Sequence, residues 1–173
     1  DSATDKLRKS NIIDSALTKG QRMPEFSLPD ANGKIINSKD LIEKGPVVIV
    51  FYRGGWCPYC NLQLRDLQKN IDAIYKTGAT LVAISPQAPP STKETKQKNQ
   101  LDFFVLSDVK NIVANKFGLV FELPQDLIEL YQSFGIDLTK SNAGKEWKLP
   151  LAATYIVNKS GEIVYSFLDV DYK

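Results

Sequence analysis

The sequence has no histidine, and its 173 residues include only two cysteines. Without histidine the chain cannot carry a Ser-His-Asp triad, a Cys-His pair or the zinc sites that need imidazole ligands. Two cysteines are also too few for the disulfide framework of a small secreted domain. A chain of this length buries roughly 70% of the surface that its unfolded form exposes, so its core needs no such framework. We therefore expect a bond between these cysteines to be chemical rather than structural.

Long apolar runs and a strong charge of either sign are missing as well. The longest apolar run, PVVIVFY at 46–52, is far shorter than the ~20 residues of a membrane span, and it favours a buried strand. Twenty-two basic and twenty acidic side chains leave a net charge of +2, and the basic run KETKQK at 93–98 is typical of a solvated helix face. We expect neither a membrane nor a nucleic-acid partner. Because no signal peptide is visible but the chain begins with Asp1, we expect a cytoplasmic protein and leave a processed, periplasmic one open.

Phosphate-binding glycine motifs are also absent, since the pair Gly54-Gly55 belongs to no GxGxxG or GxxxxGK pattern. With no histidine and no further cysteine near the pair, we expect no metal and no cofactor. Asp169 and Asp171, near the end of the chain, are predicted to be a solvated strand end rather than a metal site.

The order of the predicted elements indicates a single α/β domain over residues 1–173. A polar connection is predicted at 137–147, and the order implies a mixed sheet with helices on both faces. The predicted elements are a helix over 3–19 within an N-terminal extension (1–22), two short strands within 25–37, a helix over 39–44 capped by Ser38, a buried strand over 47–52, a helix from Pro58 to Thr77, a strand over 79–85, a helix capped by Ser91 or Thr92 that ends at Asn99, a strand over 103–108, helices over 111–117 and 124–134, and a hairpin over 153–168.

Both cysteines fall at the turn between the buried strand over 47–52 and the helix that follows, in the segment FYRGGWCPYC. Pro58 is predicted to start the helix, which places Cys57 at its N-terminus and Cys60 in its first turn. Free backbone N–H groups and the positive end of the helix dipole favour a thiolate there. The three-residue spacing brings the sulfurs within reach of each other. An easily ionised thiol with a second thiol nearby is suited to disulfide exchange or peroxide reduction. Two structural cysteines, or a metal site with ligands elsewhere, are the alternatives.

Together with MPEFSLPDANG before it, FYRGGWCPYC resembles the peroxiredoxin (alkyl hydroperoxide reductase/thiol-specific antioxidant) family, in the branch that carries a CxxC motif. The blocks LVAISPQ, FVLSD and LPLAATYIVNKSG also match, so the resemblance covers nearly the whole chain. It implies a thioredoxin-like α/β fold with a mixed central sheet, helices on both faces and a peroxiredoxin-type N-terminal extension. The family usually continues with a helix after a segment like DVDYK, so we expect either such a helix beyond Lys173 or a partner subunit, as in a homodimer, over one sheet face.

The resemblance also implies roles for the two cysteines, but the peroxiredoxin and thioredoxin comparisons disagree about which of them attacks. In the peroxiredoxin register Cys60 takes the peroxidatic position, while Cys57 replaces the usual threonine and Arg53 the usual proline. No arginine follows Arg65, so the usual device for polarising peroxide is missing and we expect slow peroxidase activity. Thioredoxin sites instead use the first cysteine as the nucleophile and place a cis-proline opposite the pair. Here that position is Ala152, where we expect a trans bond, and we predict Cys57 to attack first.

Three functions remain open on the sequence alone. The first is a thiol-dependent antioxidant enzyme that reduces hydroperoxides and is recycled by thioredoxin, glutaredoxin or glutathione. The others are a protein disulfide reductase of the thioredoxin or glutaredoxin type and a CxxC redox sensor. Around the catalytic pair Cys57 and Cys60, supporting or substrate-binding roles are expected for Arg53, Trp56, Pro58, Tyr59, Ala152 and Ala153.

Overall fold

The computed structural model describes residues 15–142, 144 and 146–169. Its strands are β1 (Ser27–Pro29), β2 (Ile35–Asn37), β3 (Val47–Phe51), β4 (Thr80–Ser85), β5 (Phe104–Ser107), β6 (Val120–Glu122), β7 (Lys148–Pro150), β8 (Ala152–Val157) and β9 (Ile163–Asp169). Its α-helices are α1 (Ser38–Lys44), α2 (Pro58–Lys69), α3 (Ile71–Lys76), α4 (Pro89–Lys98), α5 (Ile112–Lys116), α6 (Gln125–Ser133) and α7 (Leu138–Ser141), with a 3-10 turn at Val109–Asn111.

Five of the strands form one mixed sheet in the order β5-β4-β3-β8-β9. Strand β3 lies at its centre, parallel to β4 and antiparallel to β8, with Phe51 opposite both Ile84 and Ala153. The carboxyl ends of β3, β4 and β5 therefore meet at one edge of the sheet, which is where ligands bind in open α/β sheets.

The central strands are buried on both faces, as their continuous apolar runs predict. On one face, Val50, Leu81 and Ala83 pack with side chains of α2 and α3. On the other face, Ile49, Phe51 and Tyr155 pack with α5, α6 and the segment that precedes β1. The predicted mixed sheet with helices on both faces is confirmed.

The sheet is less well covered towards its β9 edge. Tyr165 and Phe167 of β9 pair with Ile156 and Thr154 of β8, and they keep 47% and 55% of their surface exposed. Among the described residues, the side of β9 that carries Tyr165 and Phe167 is therefore only partly covered.

Several element boundaries differ from the sequence prediction. The helix predicted from Pro58 to Thr77 is broken at Asn70, which takes a non-helical conformation between α2 and α3. The predicted caps are also wrong, because Asn37 and Ala88 occupy the cap positions and Ser38 instead accepts the Phe26 N–H with its hydroxyl.

The predicted N-terminal helix falls largely outside the described residues. Of the last five positions of the helix predicted over 3–19 only Ser15 is helical, so the predicted end of this helix is wrong. The strands of the 25–37 segment and the 153–168 hairpin are confirmed, and Asn158 closes the hairpin turn by accepting the N–H groups of Ser160 and Glu162.

Two features were not predicted. Strands β6 and β7 pair through Phe121 and Leu149, and the short helix α7 lies in the segment predicted to be a polar connection. Within residues 15–142, 144 and 146–169, no helix is long and apolar enough to cross a membrane.

Candidate dithiol site

The two cysteines lie at the junction of β3 and α2, as the sequence predicts. Cys57 is the N-cap residue of α2 with extended backbone (φ −93°, ψ 113°), and Pro58 takes the first helical position. Proline suits that position because its N–H would have no helical partner and its φ is already helical. The Cys57 N–H donates to the Gly54 carbonyl at 3.2 Å, which closes the turn before the helix begins.

The two glycines of this turn are required by close packing. A Cβ on Gly54 would collide with the indole of Trp56, and a Cβ on Gly55 would collide with the hydroxyl of Thr95. A side chain at Gly54 would therefore displace the indole of Trp56, and one at Gly55 would push the turn away from α4.

The Cys57 sulfur acts as the cap of α2. The backbone N–H of Cys60 donates to Cys57 Sγ at 3.3 Å, which satisfies one of the free N–H groups of the first turn. Both thiols are free and buried, with 5% of Cys57 and 1% of Cys60 exposed. Cys57 is thus slightly the more accessible of the pair, and Trp56 packs against the apolar cluster that contains both cysteines.

The surroundings of Cys57 favour its thiolate. A hydrogen bond from the Cys60 thiol is the main cause, and together with the positive charge of Arg53 and the backbone N–H groups of Cys60 and Tyr59 it lowers the pKa of Cys57 to about 6. Burial acts in the opposite direction but is outweighed.

Cys60 has the opposite acidity. Its hydrogen bond to Cys57, its burial and the negative charge of the neighbouring thiolate raise the pKa of the Cys60 thiol well above its usual range. Arg53 and its backbone N–H oppose this shift without reversing it. These opposite shifts favour a thiolate at Cys57 and a thiol at Cys60.

Arg53 is held inside the site. It is 5% exposed, and its Nη1 donates to the hydroxyl of Tyr131 at 3.3 Å. The ring of Tyr131 also packs on Trp56, with ring centroids 5.3 Å apart and a 57° angle between the planes. Trp56 is half-buried, and its indole N–H has no hydrogen-bond partner within the described part of the chain.

Tyr59 is hydrogen-bonded to the end of β9. Its hydroxyl donates to Asp169 Oδ2 at 3.0 Å, which ties α2 to the end of β9 and raises the pKa of Tyr59. This contact occupies the hydroxyl that could otherwise bind substrate. Among residues 15–142, 144 and 146–169, no three His, Cys, Asp or Glu side chains are grouped to hold a metal; Asp171 lies outside that range.

Ala152 and Ala153 begin β8, beside the strand that ends at the site. Ala153 lies opposite Phe51, so the register places Ala152 level with Tyr52, the residue that follows β3. The peptide bonds of the described residues are all trans, including the one before Ala152.

A buried polar network supports the turn from the other side. Asn61 Nδ2 donates to the Gly55 carbonyl at 2.8 Å, and Asn61 Oδ1 accepts from Asn99 at 2.9 Å. Nearby, Gln87 Oε1 accepts from the hydroxyls of Tyr52 and Thr95 at 3.3 and 3.2 Å. The sequence alone points to none of these supports, nor to Tyr131. Gln87 lies 30 positions and Tyr131 74 positions beyond Cys57, and Asn61 lies on α2 without a recognisable motif. The buried polar residues after β4 were the available signal: Gln87, Thr92, Thr95 and Asn99.

The fold has a counterpart among solved structures. Peroxidoxin BcpB from Mycobacterium tuberculosis superimposes with a TM-score of 0.74 at 20% identity, covering 90% of this chain and 88% of that one. This likeness confirms the predicted thioredoxin-like fold. Fold and site together define the class: a thioredoxin-like protein with a CxxC dithiol at the strand-to-helix turn.

The model of the AhpC/TSA family matches residues 19–166, and the chain belongs to that family. Peroxiredoxin Q of rice (Oryza sativa subsp. japonica, chloroplastic) is 30% identical over 159 residues, which are 92% of this chain and 63% of that protein. Peroxiredoxin Bcp of Escherichia coli K12 is 28% identical over 153 residues, 88% of this chain and 86% of that one. The chain thus spans slightly less than two thirds of the length of the rice relative. The resemblance to the peroxiredoxin family is confirmed.

Proposed function

We propose that this chain is a thiol-dependent peroxidase in which Cys57 attacks the hydroperoxide and Cys60 resolves the oxidised product. The observation that carries the proposal is the capping geometry: the Cys57 sulfur accepts the Cys60 N–H at the start of α2, with a second thiol next to it. Membership of a family whose relatives are named peroxiredoxins supports the peroxide as substrate.

The reaction consists of two bond exchanges within the protein. The Cys57 thiolate attacks one peroxide oxygen, so that an S–O bond forms, the O–O bond breaks, and the leaving alkoxide takes a proton to depart as an alcohol or water. The Cys60 sulfur then attacks the sulfenic sulfur of Cys57; an S–S bond forms and the hydroxyl leaves as water with the Cys60 proton. An external thiol, of the thioredoxin, glutaredoxin or glutathione kind, reduces this disulfide in two further exchanges.

The supporting residues act on the attacking sulfur. Arg53 provides positive charge that favours the thiolate, Pro58 fixes the start of the helix, and Trp56 packs against the apolar cluster that contains both cysteines. Ala152 and Ala153 line the neighbouring strand end, where we place the substrate's approach. A cytoplasmic location stays a prediction.

The test is peroxide consumption under turnover conditions with thioredoxin, thioredoxin reductase and NADPH. We expect steady consumption that is lost in Cys57→Ser, and a rate well below that of a dedicated peroxidase. The reason is that the missing threonine and downstream arginine each correspond to donors worth factors of roughly a hundred to a thousand. Oxidation of one equivalent without turnover would contradict the proposal and favour a redox sensor.

A protein disulfide reductase is the second candidate, because the acidity of Cys57 suits attack on a disulfide as well as on a peroxide. Insulin reduction with no peroxide turnover would support it. Since proline is tolerated at the first residue of a strand, Ala152→Pro offers a specific check. This variant should raise insulin reduction if the Ala152 position grips protein substrates, and unchanged or lower activity in a folded variant would contradict that role.

A further inference from the structure

We propose that Tyr131 is a positioning residue that holds the Arg53 guanidinium inside the dithiol site. The proposal rests on the function proposed above, because it explains how the attacking sulfur is kept ionised. Tyr131 belongs to α6, 78 positions beyond Arg53, and its hydroxyl accepts from Arg53 Nη1 at 3.3 Å.

The contact is buried on both sides, since Tyr131 is 8% and Arg53 5% exposed. A guanidinium that leaves water needs acceptors for its donors, and its planar geometry makes the direction of each acceptor important. The Tyr131 oxygen is such an acceptor, fixed in place because its ring packs on Trp56. The residue therefore contacts both Arg53 and the residue immediately before Cys57.

Arg53 is placed to act on both sulfurs. Its backbone N–H donates to the sulfur of Cys60, and its charge stabilises negative charge on either cysteine. Three nearby tyrosines are affected in turn by negative charge on the pair: Tyr52 and Tyr59 by Cys60, and Tyr131 by both sulfurs. Tyrosines are neutral at physiological pH, so the position of the Arg53 charge matters most among these groups.

Loss of the Tyr131 hydroxyl should let the guanidinium turn towards water. The distance between its charge and Cys57 would then increase, and the Coulomb stabilisation of the thiolate would fall. The ring of a phenylalanine would still pack on Trp56, so Tyr131→Phe removes the hydrogen bond and keeps the packing.

The experiment measures the pKa of Cys57 in the reduced full chain from the pH dependence of iodoacetamide alkylation, followed by peptide mass spectrometry. We expect Tyr131→Phe to raise the pKa of Cys57 by about 0.5–1 unit, which means roughly three- to tenfold less thiolate well below the pKa. Tyr155→Phe is the matched control, because it removes one hydroxyl, bonded to the Leu17 carbonyl at 2.8 Å, from an equally apolar site. That control should leave the pKa of Cys57 unchanged.

A double-mutant cycle identifies the route of the effect. Arg53→Met alone should raise the pKa of Cys57 at least as much as Tyr131→Phe, and adding Tyr131→Phe to it should change nothing further. An unchanged pKa in Tyr131→Phe, or an equal shift in the absence of the Arg53 charge, would overturn the proposal. If Arg53→Met does not fold, Arg53→Gln replaces it in the cycle. Alkylation reports the thiolate without any peroxide, so failure of the peroxidase assay would not affect this result.

Discussion

Cys57 and Cys60 carry the same functional group three positions apart, yet their surroundings separate their acidities. The cap position gives the Cys57 sulfur backbone donors, while the sulfur of Cys60, one turn later, is fully enclosed. The hydrogen bond between the two side chains then favours the thiolate on Cys57 and the thiol on Cys60. At the scale of a residue, position on the helix favours Cys57 over Cys60 as the proposed nucleophile.

Gly55 sets the distance between the turn and α4. A Cβ at this position would collide with the Thr95 hydroxyl, so we predict that Gly55→Ala lowers the free energy of unfolding by about 1–3 kcal/mol. Chemical denaturation of the reduced protein measures the loss. Gly144→Ala is the control, because a Cβ there meets no atom closer than 3.9 Å. Equal effects of the two substitutions would show that the collision does not determine the stability of the turn.

At the scale of an element, the start of α2 depends on Asn61, one turn beyond Cys57. Its side chain connects the Gly55 carbonyl to Asn99, which also accepts from Arg65 Nη1 at 2.8 Å. The helix, the turn and the end of α4 are therefore joined by one line of buried amides.

We predict that Asn61→Ala destabilises the protein by about 1–3 kcal/mol, because the Gly55 carbonyl loses its amide donor and the Asn99 amide loses one of its two acceptors. Thermal unfolding checks this. The matched control is Asn70→Ala, which also truncates an asparagine that donates to a backbone carbonyl, that of Asp66 at 2.9 Å, but at the surface. A loss no larger than that of the control would contradict the anchoring role.

The helices and strands also show which parts of the fold and of the site can be predicted from the sequence. The strand, turn and helix around Cys57 carry local signals: an apolar run, two glycines and a proline. Tyr131 carries none, because its role arises only when α6 folds back over the turn from a distant part of the chain. Strands β6 and β7 were missed for the same reason, since each has only three residues and their pairing spans the segment between Glu122 and Lys148.

At the scale of the whole molecule, the acidity of Cys57 links folding to pH. The folded pKa is about 6 and the unfolded one about 8.5, so the unfolded chain binds more protons between these values and stability rises with pH there. The stabilisation of the folded state by the Cys57 thiolate is complete above about pH 8.5, and it is lost as the pH falls through about 6. The raised pKa of Cys60 changes stability only above about pH 8.5, the pKa of a cysteine in the unfolded chain. Its effect therefore lies outside the range from about pH 6 to 8.5.

We predict that the difference in unfolding free energy between the reduced wild type and Cys57→Ser grows from pH 6 to 8.5 by up to about 3 kcal/mol. Urea denaturation at several pH values under reducing conditions measures it. A difference that stays flat or shrinks with rising pH would mean that the thiolate of Cys57 is not stabilised by the fold.

Two expectations about the whole molecule stay predictions. A homodimer stays a prediction, as does the division of residues 1–173 into one domain with an N-terminal extension. The confirmed parts are the thioredoxin-like fold and the family, both of which follow from blocks distributed along the whole sequence.

The central claim is that Cys57 attacks and Cys60 resolves, and the masses of single-cysteine variants test it most directly. Each intact, reduced variant is treated with hydrogen peroxide in the presence of dimedone and, separately, with a disulfide reagent. We predict that Cys60→Ser gains one dimedone adduct or one mixed disulfide at Cys57, while Cys57→Ser stays unmodified on the same timescale. A sulfenic acid trapped on Cys60 in Cys57→Ser, with Cys60→Ser inert to peroxide, would contradict the claim and assign the attacking sulfur to Cys60.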